Sequence, residues 1–132
     1  MRLWHQKLIK KLPRQQLLGQ HREIAALRGN SWGKKHSTVD YVFKYPLEYL
    51  VAFHYLIMNE MKSRGYTVDE SWFNPLYRGK KCEEHKFLSS IIGEFMIAAG
   101  MEGKEIYPEH NDAYLNECLE NLKAKGVIID DY

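Results

Sequence analysis

The sequence predicts an all-α fold: a compact, single-domain helical bundle of about four helices spanning residues 1–132, with two basic-aromatic loops. Three observations lead there. Apolar residues recur with helical rather than alternating spacing in four stretches. Pro13, Pro46 and Pro108 open three of these stretches, and Gly29, Gly65, Gly100 and Gly126 close them. With 132 residues, 45% hydrophobic and 27% charged, the chain can bury a core unaided and has the make-up of a soluble globular protein. There is no internal repeat and no low-complexity linker.

Residues 1–12 carry Leu8, Ile9 and Leu12, spaced for a short helical turn packed on the core. The first strong helix is expected over 13–28, with Pro13 in its first turn and Gly29-Asn30 as its stop. Placed 100° apart, Leu17, Leu18, His21, Ile24, Ala25 and Arg28 share one side of it. Glu23 falls opposite, between Gly19 and Ala26, with Gln16 and Arg22 to either hand. An ordinary solvated glutamate fits that pattern; so does a carboxylate left room for something to approach it.

Residues 29–45 read as a loop in which aromatic and basic residues interleave, notably Trp32, Lys34, Lys35 and His36. Such residues touch phosphates and stack on bases, although Trp32 alone fits equally well as a core plug. A second helix is expected from Pro46 to Arg64, apolar on two faces and therefore central. His54, in its main stripe, reads as a core histidine with satisfied ring nitrogens. Residues 66–81 form a second loop ending in Tyr77, Arg78, Lys80 and Lys81. A third helix is expected from about Cys82 to Ala99, and a fourth from Pro108 with Leu115, Cys118, Leu119 and Leu122 in register. The tail Val127-Ile128-Ile129 could pack as a short extended segment.

The net charge of +2 conceals a polarised chain: residues 1–81 hold 15 Lys+Arg against 6 Asp+Glu, and residues 82–132 hold 4 against 11. A basic face suits a polyanion such as nucleic acid; equally, the acidic half could neutralise the basic one within the molecule. Cys82 and Cys118 are too few for a disulfide framework. No apolar run resembles a signal peptide or a membrane span, so a cytoplasmic protein is expected. There is no His-Glu-x-x-His, no Cys-x-x-Cys, no phosphate-cradling glycine loop and no nucleophile elbow, and Cys82-Glu-Glu-His85 is a lone pair. No metal and no cofactor are therefore expected.

An unconventional nucleophile is left, the α-amine. Its unperturbed pKa of about 7.7–8 leaves a useful neutral fraction at cellular pH. The bulky Arg2 disfavours removal of Met1, so the amine is that of Met1, and the Arg2 charge beside it disfavours protonation. A neutral amine attacks an electrophilic sugar carbon or carbonyl and forms a Schiff base.

The pairing of Met1-Arg2-Leu3 with Leu17-Leu18-Gly19-Gln20-His21-Arg22-Glu23 resembles the pyrimidine-dimer DNA glycosylase family of the phage endonuclease V type. Similar too are the helix from Leu47-Glu48-Tyr49-Leu50 to Gly65-Tyr66, the Tyr77-Arg78-Gly79 loop and the Tyr107-Pro108-Glu109-His110 segment. The resemblance implies an all-α glycosylase and abasic-site lyase acting on double-stranded DNA with a damaged or abasic nucleotide. It implies no cofactor, no membrane and no obligate protein partner. It implies Met1 as amine nucleophile and Glu23 as the carboxylate that holds the imine charge and assists proton transfer. Arg2 and Arg22 would bind phosphates, and Lys34, Lys35, Arg78, Lys80 and Lys81 would complete a basic footprint. A non-catalytic nucleic-acid-binding module of the same fold is the alternative. The chain departs from the phage pattern in presenting Met1 where that enzyme has a threonine, in carrying Ala25 and Ala26 where an arginine is expected, and in ending on acidic residues.

Overall fold

The computed structural model describes residues 2–34, 38–86 and 88–130. Four α-helices run through them: α1 (Arg14–Arg28), α2 (Leu47–Ser63), α3 (Ser90–Met101) and α4 (Asp112–Ala124). Short 3₁₀ helices at Gln6–Lys11, Asp40–Lys44 and Glu70–Phe73 fill the connections, and no strand occurs among the described residues. None of the helices is long and apolar enough to cross a membrane.

The central helix is α2, as its two apolar faces require. Leu50, Ala52, Phe53, His54 and Ile57 are fully buried, and both α1 and α3 pack on α2. One buried cluster joins Leu3 and Leu8 at the start of the chain to Leu122 in α4. The first turn forms as expected, with Leu8, Ile9 and Leu12 inside. Pro13 and Pro46 stand immediately before α1 and α2, where a missing N–H costs nothing.

Three expectations are corrected. The third helix begins at Ser90, not Cys82: Ser89 caps it by accepting the Ile92 N–H at 3.2 Å, and Glu48 of α2 accepts the Ser89 N–H at 2.7 Å. Upstream, the His85 N–H is drawn off to the Leu76 carbonyl at 2.9 Å, so this stretch packs as a loop. Gly100 does not end α3 but lies inside it. A Cβ there would stand 2.9 Å from Leu56 Cδ1, so glycine permits the close approach to α2, and the stop is Gly103 at φ +89°. The fourth helix begins at Asp112 behind an Asn111 cap, four residues past Pro108, because the Asn111 side chain accepts the Tyr114 N–H at 2.9 Å. The tail forms no strand; Val127 and Ile129 lean on the core while Ile128 is 71% exposed.

Candidate active site at the N-terminal strap

Residues 2–5 precede the first 3₁₀ helix as an extended strap held between α1 and α4. From α1, Gln20 reaches it with a carboxamide that is almost wholly buried. The Trp4 N–H donates to Gln20 Oε1 at 2.7 Å, and Gln20 Nε2 donates to the Arg2 carbonyl at 2.9 Å. The same Nε2 lies 3.4 Å from Glu23 Oε2. From α4, the Tyr114 hydroxyl donates to the Leu3 carbonyl, and Glu117 pairs with the Arg2 guanidinium at 2.9 Å. Arg2 also lies over the Tyr114 ring, 5.7 Å from its centre.

Behind Tyr114 the hydrogens are assigned by their partners. His110 Nδ1 accepts the Gln6 N–H at 3.0 Å, so its own proton sits on Nε2 and is donated to the Tyr41 hydroxyl at 2.7 Å. Tyr41 in turn stands edge-on to Tyr114, ring centres 6.1 Å apart. The result is a buried chain, His110 to Tyr41 to Tyr114 to the Leu3 carbonyl, that fixes the strap. Burial lowers the His110 imidazole to about 3, keeping it neutral as the chain requires. A cleft of about 290 Å³ opens beside this chain, lined by Arg2, Thr38, Tyr41, Glu109, Tyr114 and Glu117.

Glu23 is half-buried rather than on an outer face. The strap crowds one flank, so Gln20 and Leu27 are buried there; Ala26 on the other flank is exposed. A Cβ at Gly19 would stand 3.8 Å from Arg22 Nη2, so the exposed Arg22 guanidinium lies beside the gap. Burial pushes the Glu23 carboxyl above its usual range. The positive N-terminus, the Arg2 backbone N–H and the charges of Lys125 and Arg22 oppose that rise.

The other histidine pair stabilises the end of α1. Buried Arg28 donates to the carbonyls of Trp72 (2.8 Å), Asn74 (3.0 Å) and Tyr77 (3.4 Å), and to His54 Nδ1 at 2.9 Å. His54 is therefore protonated on Nε2 and donates to His21 Nδ1 at 2.7 Å. His54 is the satisfied core histidine expected. Burial lowers Arg28 to about 10, which still leaves it charged at neutral pH.

The basic residues are distributed around α1. Arg78 is half-buried and donates to the carbonyls of Gly29 (2.8 Å) and Arg28 (3.3 Å) at the end of α1. Lys34, Lys80 and Lys81 are exposed. Lys35, His36 and Met1 lie outside the described residues. Trp32 packs edge-on to Phe43 with ring centres 4.9 Å apart, and Trp72 does the same to Tyr77 at 4.7 Å, so both loops turn aromatic residues inward. Among the described residues no cluster of three or more His, Cys, Asp or Glu could hold a metal ion.

Reasoning from the sequence missed Gln20, Tyr114, His110 and Glu117. Gln20 and His110 fall in segments that resemble the family, but nothing there assigns them a role, and the strap partners of Gln20 lie 16 to 18 residues away.

A family model described as pyrimidine dimer DNA glycosylase matches residues 1–74. The chain belongs to the pyrimidine dimer DNA glycosylase family. The matched span contains the strap, α1, α2 and the first basic-aromatic loop, and with them Arg2, Gln20, Arg22 and Glu23. Tyr114, His110, Glu117 and the Arg78–Lys81 segment lie beyond it. No curated protein and no solved structure matches the chain. As a member of a DNA repair glycosylase family, the protein takes DNA as its substrate, and its strap and α1 belong to the part common to the family.

Proposed function

We propose that this glycosylase is also an abasic-site lyase, with the Met1 α-amine as nucleophile and Glu23 as its carboxylate. The amine attacks C1′ of the damaged nucleotide, its proton passes to the departing base, and a proton from water caps O4′ as the sugar opens to a protonated imine. Ionised Glu23 stabilises the imine charge. Loss of a C2′ proton then expels the 3′ phosphate by β-elimination, and water releases the enzyme. These steps call on an amine, a carboxylate and water.

The observation that carries this reading is the Gln20 amide that the Arg2 carbonyl and Glu23 share. Gln20 Nε2 donates to the Arg2 carbonyl at 2.9 Å and lies 3.4 Å from Glu23 Oε2. One peptide unit, about 3.8 Å from Cα to Cα, separates Arg2 from Met1, so chain connectivity keeps the amine in the neighbourhood of Glu23. Exposed Arg22, Lys34, Lys80 and Lys81 supply phosphate contacts, and Arg2 and Arg78 add charge while bonded to Glu117 and to the end of α1.

The test is trapping. Incubation with duplex DNA holding one abasic site, followed by borohydride, is expected to give a covalent protein–DNA adduct that disappears when the N-terminus is acetylated or extended. A free N-terminus that gives no adduct while the DNA is bound overturns the proposal, and steeply salt-dependent binding without adduct identifies a binding module instead.

A further inference from the structure

The buried carboxamide of Gln20 joins two groups of the distant strap to a carboxylate on its own helix. Its oxygen accepts the Trp4 N–H, and its nitrogen donates to the Arg2 carbonyl and faces Glu23 Oε2 at 3.4 Å. A carboxamide has two N–H hydrogens and an oxygen with two lone pairs, so these contacts use both donors and one of the two acceptor positions. A helix residue with nothing to do but fill space would be apolar here, since Leu17, Ile24 and Leu27 on the same helix are fully buried. Gln20 does more than fill space. It ties the register of the strap, which leads to the nucleophile, to the side chain that must meet it.

We propose that Gln20 is the positioning residue of this site: one amide sets the strap and the Glu23 carboxylate relative to each other, and so sets the geometry in which amine and carboxylate act on the sugar. The inference rests on the amine-nucleophile reading above. The second anchor, Tyr114 on the Leu3 carbonyl, holds the strap from α4 but touches no part of Glu23 among its hydrogen bonds, so the coupling belongs to Gln20. Trp4 and Leu3 are themselves buried, so the strap has little freedom beyond residue 2. What Gln20 controls is its last polar contacts before the terminus.

Two variants of the full chain test this. Gln20→Met keeps the volume and removes all three polar contacts. Its single-turnover cleavage and borohydride trapping of abasic duplex are expected to fall about 10²-fold, the size expected for a ~1 Å misplacement of reacting groups. Its Kd for the same duplex should stay within about twofold of wild type, because the basic residues are untouched. Gln20→Glu places a second carboxyl against Glu23. Ionised, it can donate neither to Arg2 nor to Glu23; protonated, it recovers one donor. Its cleavage rate relative to wild type at the same pH should therefore climb about tenfold as pH falls from about 8 to about 5.5. A general loss of stability would not produce that climb at constant Kd. Trapping of Gln20→Met at the wild-type rate overturns the proposal. Should that variant not fold, a Gln20→Glu ratio that stays flat with pH overturns it. A wild-type protein that neither traps nor cuts removes the amine-nucleophile reading itself, and is distinguished by appearing before any substitution is made.

Discussion

At Glu23 stability and chemistry pull in opposite directions. Burial raises its pKa above the unfolded value, so the folded protein binds this proton more tightly than the unfolded chain does. The sign follows: the group favours the fold below the unfolded pKa, and that contribution is lost as pH rises through the folded pKa. At neutral pH the ionised carboxylate is thus a cost that an amide would not carry. Glu23→Gln is expected to abolish lyase cleavage, to leave the Kd for abasic DNA nearly unchanged, and to melt slightly higher than wild type at pH 7. Cleavage assays beside thermal unfolding check it. A variant that still cuts shows that Glu23 is not the working carboxylate; one that melts lower shows that its hydrogen bonds outweigh its desolvation. On the proposed mechanism, in which Glu23 acts ionised, the acid limb of the wild-type cleavage rate should lie above the ordinary carboxylate range.

The element that organises the basic side of the site is the junction between the end of α1 and the 72–81 loop. Arg28 gathers three loop carbonyls, and Arg78 returns the contact by donating to the carbonyls of Arg28 and Gly29. Gly29 has an ordinary negative φ, so it is needed for closeness rather than for backbone freedom. A Cβ there would lie 2.6 Å from the Arg78 carbonyl oxygen, a backbone atom that cannot swing aside. Gly29→Ala is expected to cost about 1–3 kcal/mol and to push the loop outward. The displaced Lys80 and Lys81 should weaken DNA binding and flatten its dependence on salt, while the bound complex still traps. Titrations at two or more salt concentrations, with a melt, measure both effects. An unchanged salt slope in a destabilised variant places the loop outside the DNA footprint.

Across the whole molecule, burial lowers the pKa of His5, His21, His54, His85 and His110. Each takes up its proton more readily in the unfolded chain than in the fold. The stability they contribute is complete above their unfolded pKa of 6.5 and drains away as pH falls below it. His110, lowered to about 3, alone accounts for about 2 kcal/mol between pH 6.5 and about pH 5. Urea unfolding at about pH 7.5 and about pH 5 should therefore show a pronounced loss in acid, and His110→Gln should shrink it. Equal stability at the two pH values contradicts the neutral histidine network. The opposite charges of the two chain halves also meet, through Arg2–Glu117 at 2.9 Å and the looser Lys7–Glu105 at 3.9 Å. Part of the acidic half thus neutralises part of the basic one, while Arg22, Lys34, Lys80 and Lys81 stay exposed.

The all-α class, the extents of α1 and α2 and the centrality of α2 were determined by the sequence alone. Proline starts, glycine stops and apolar periodicity act within a few residues of one another, and nothing elsewhere in the fold overrides them here. The start of α3 was not determined that way, because Glu48 and Leu76 take up the backbone N–H groups of Ser89 and His85. Neither was the role of Gly100, whose neighbours are Leu56 and Ile106. Glu23 and Arg2 were legible as a motif. What holds them together was not. Gln20 spans 16 and 18 residues to the strap, and Tyr114 spans 111, and such bonds leave no periodic trace in the chain. The sequence determined which groups the protein carries for the proposed chemistry; packing three distant segments decided that Glu23 is half-buried and that it shares the Gln20 amide with Arg2.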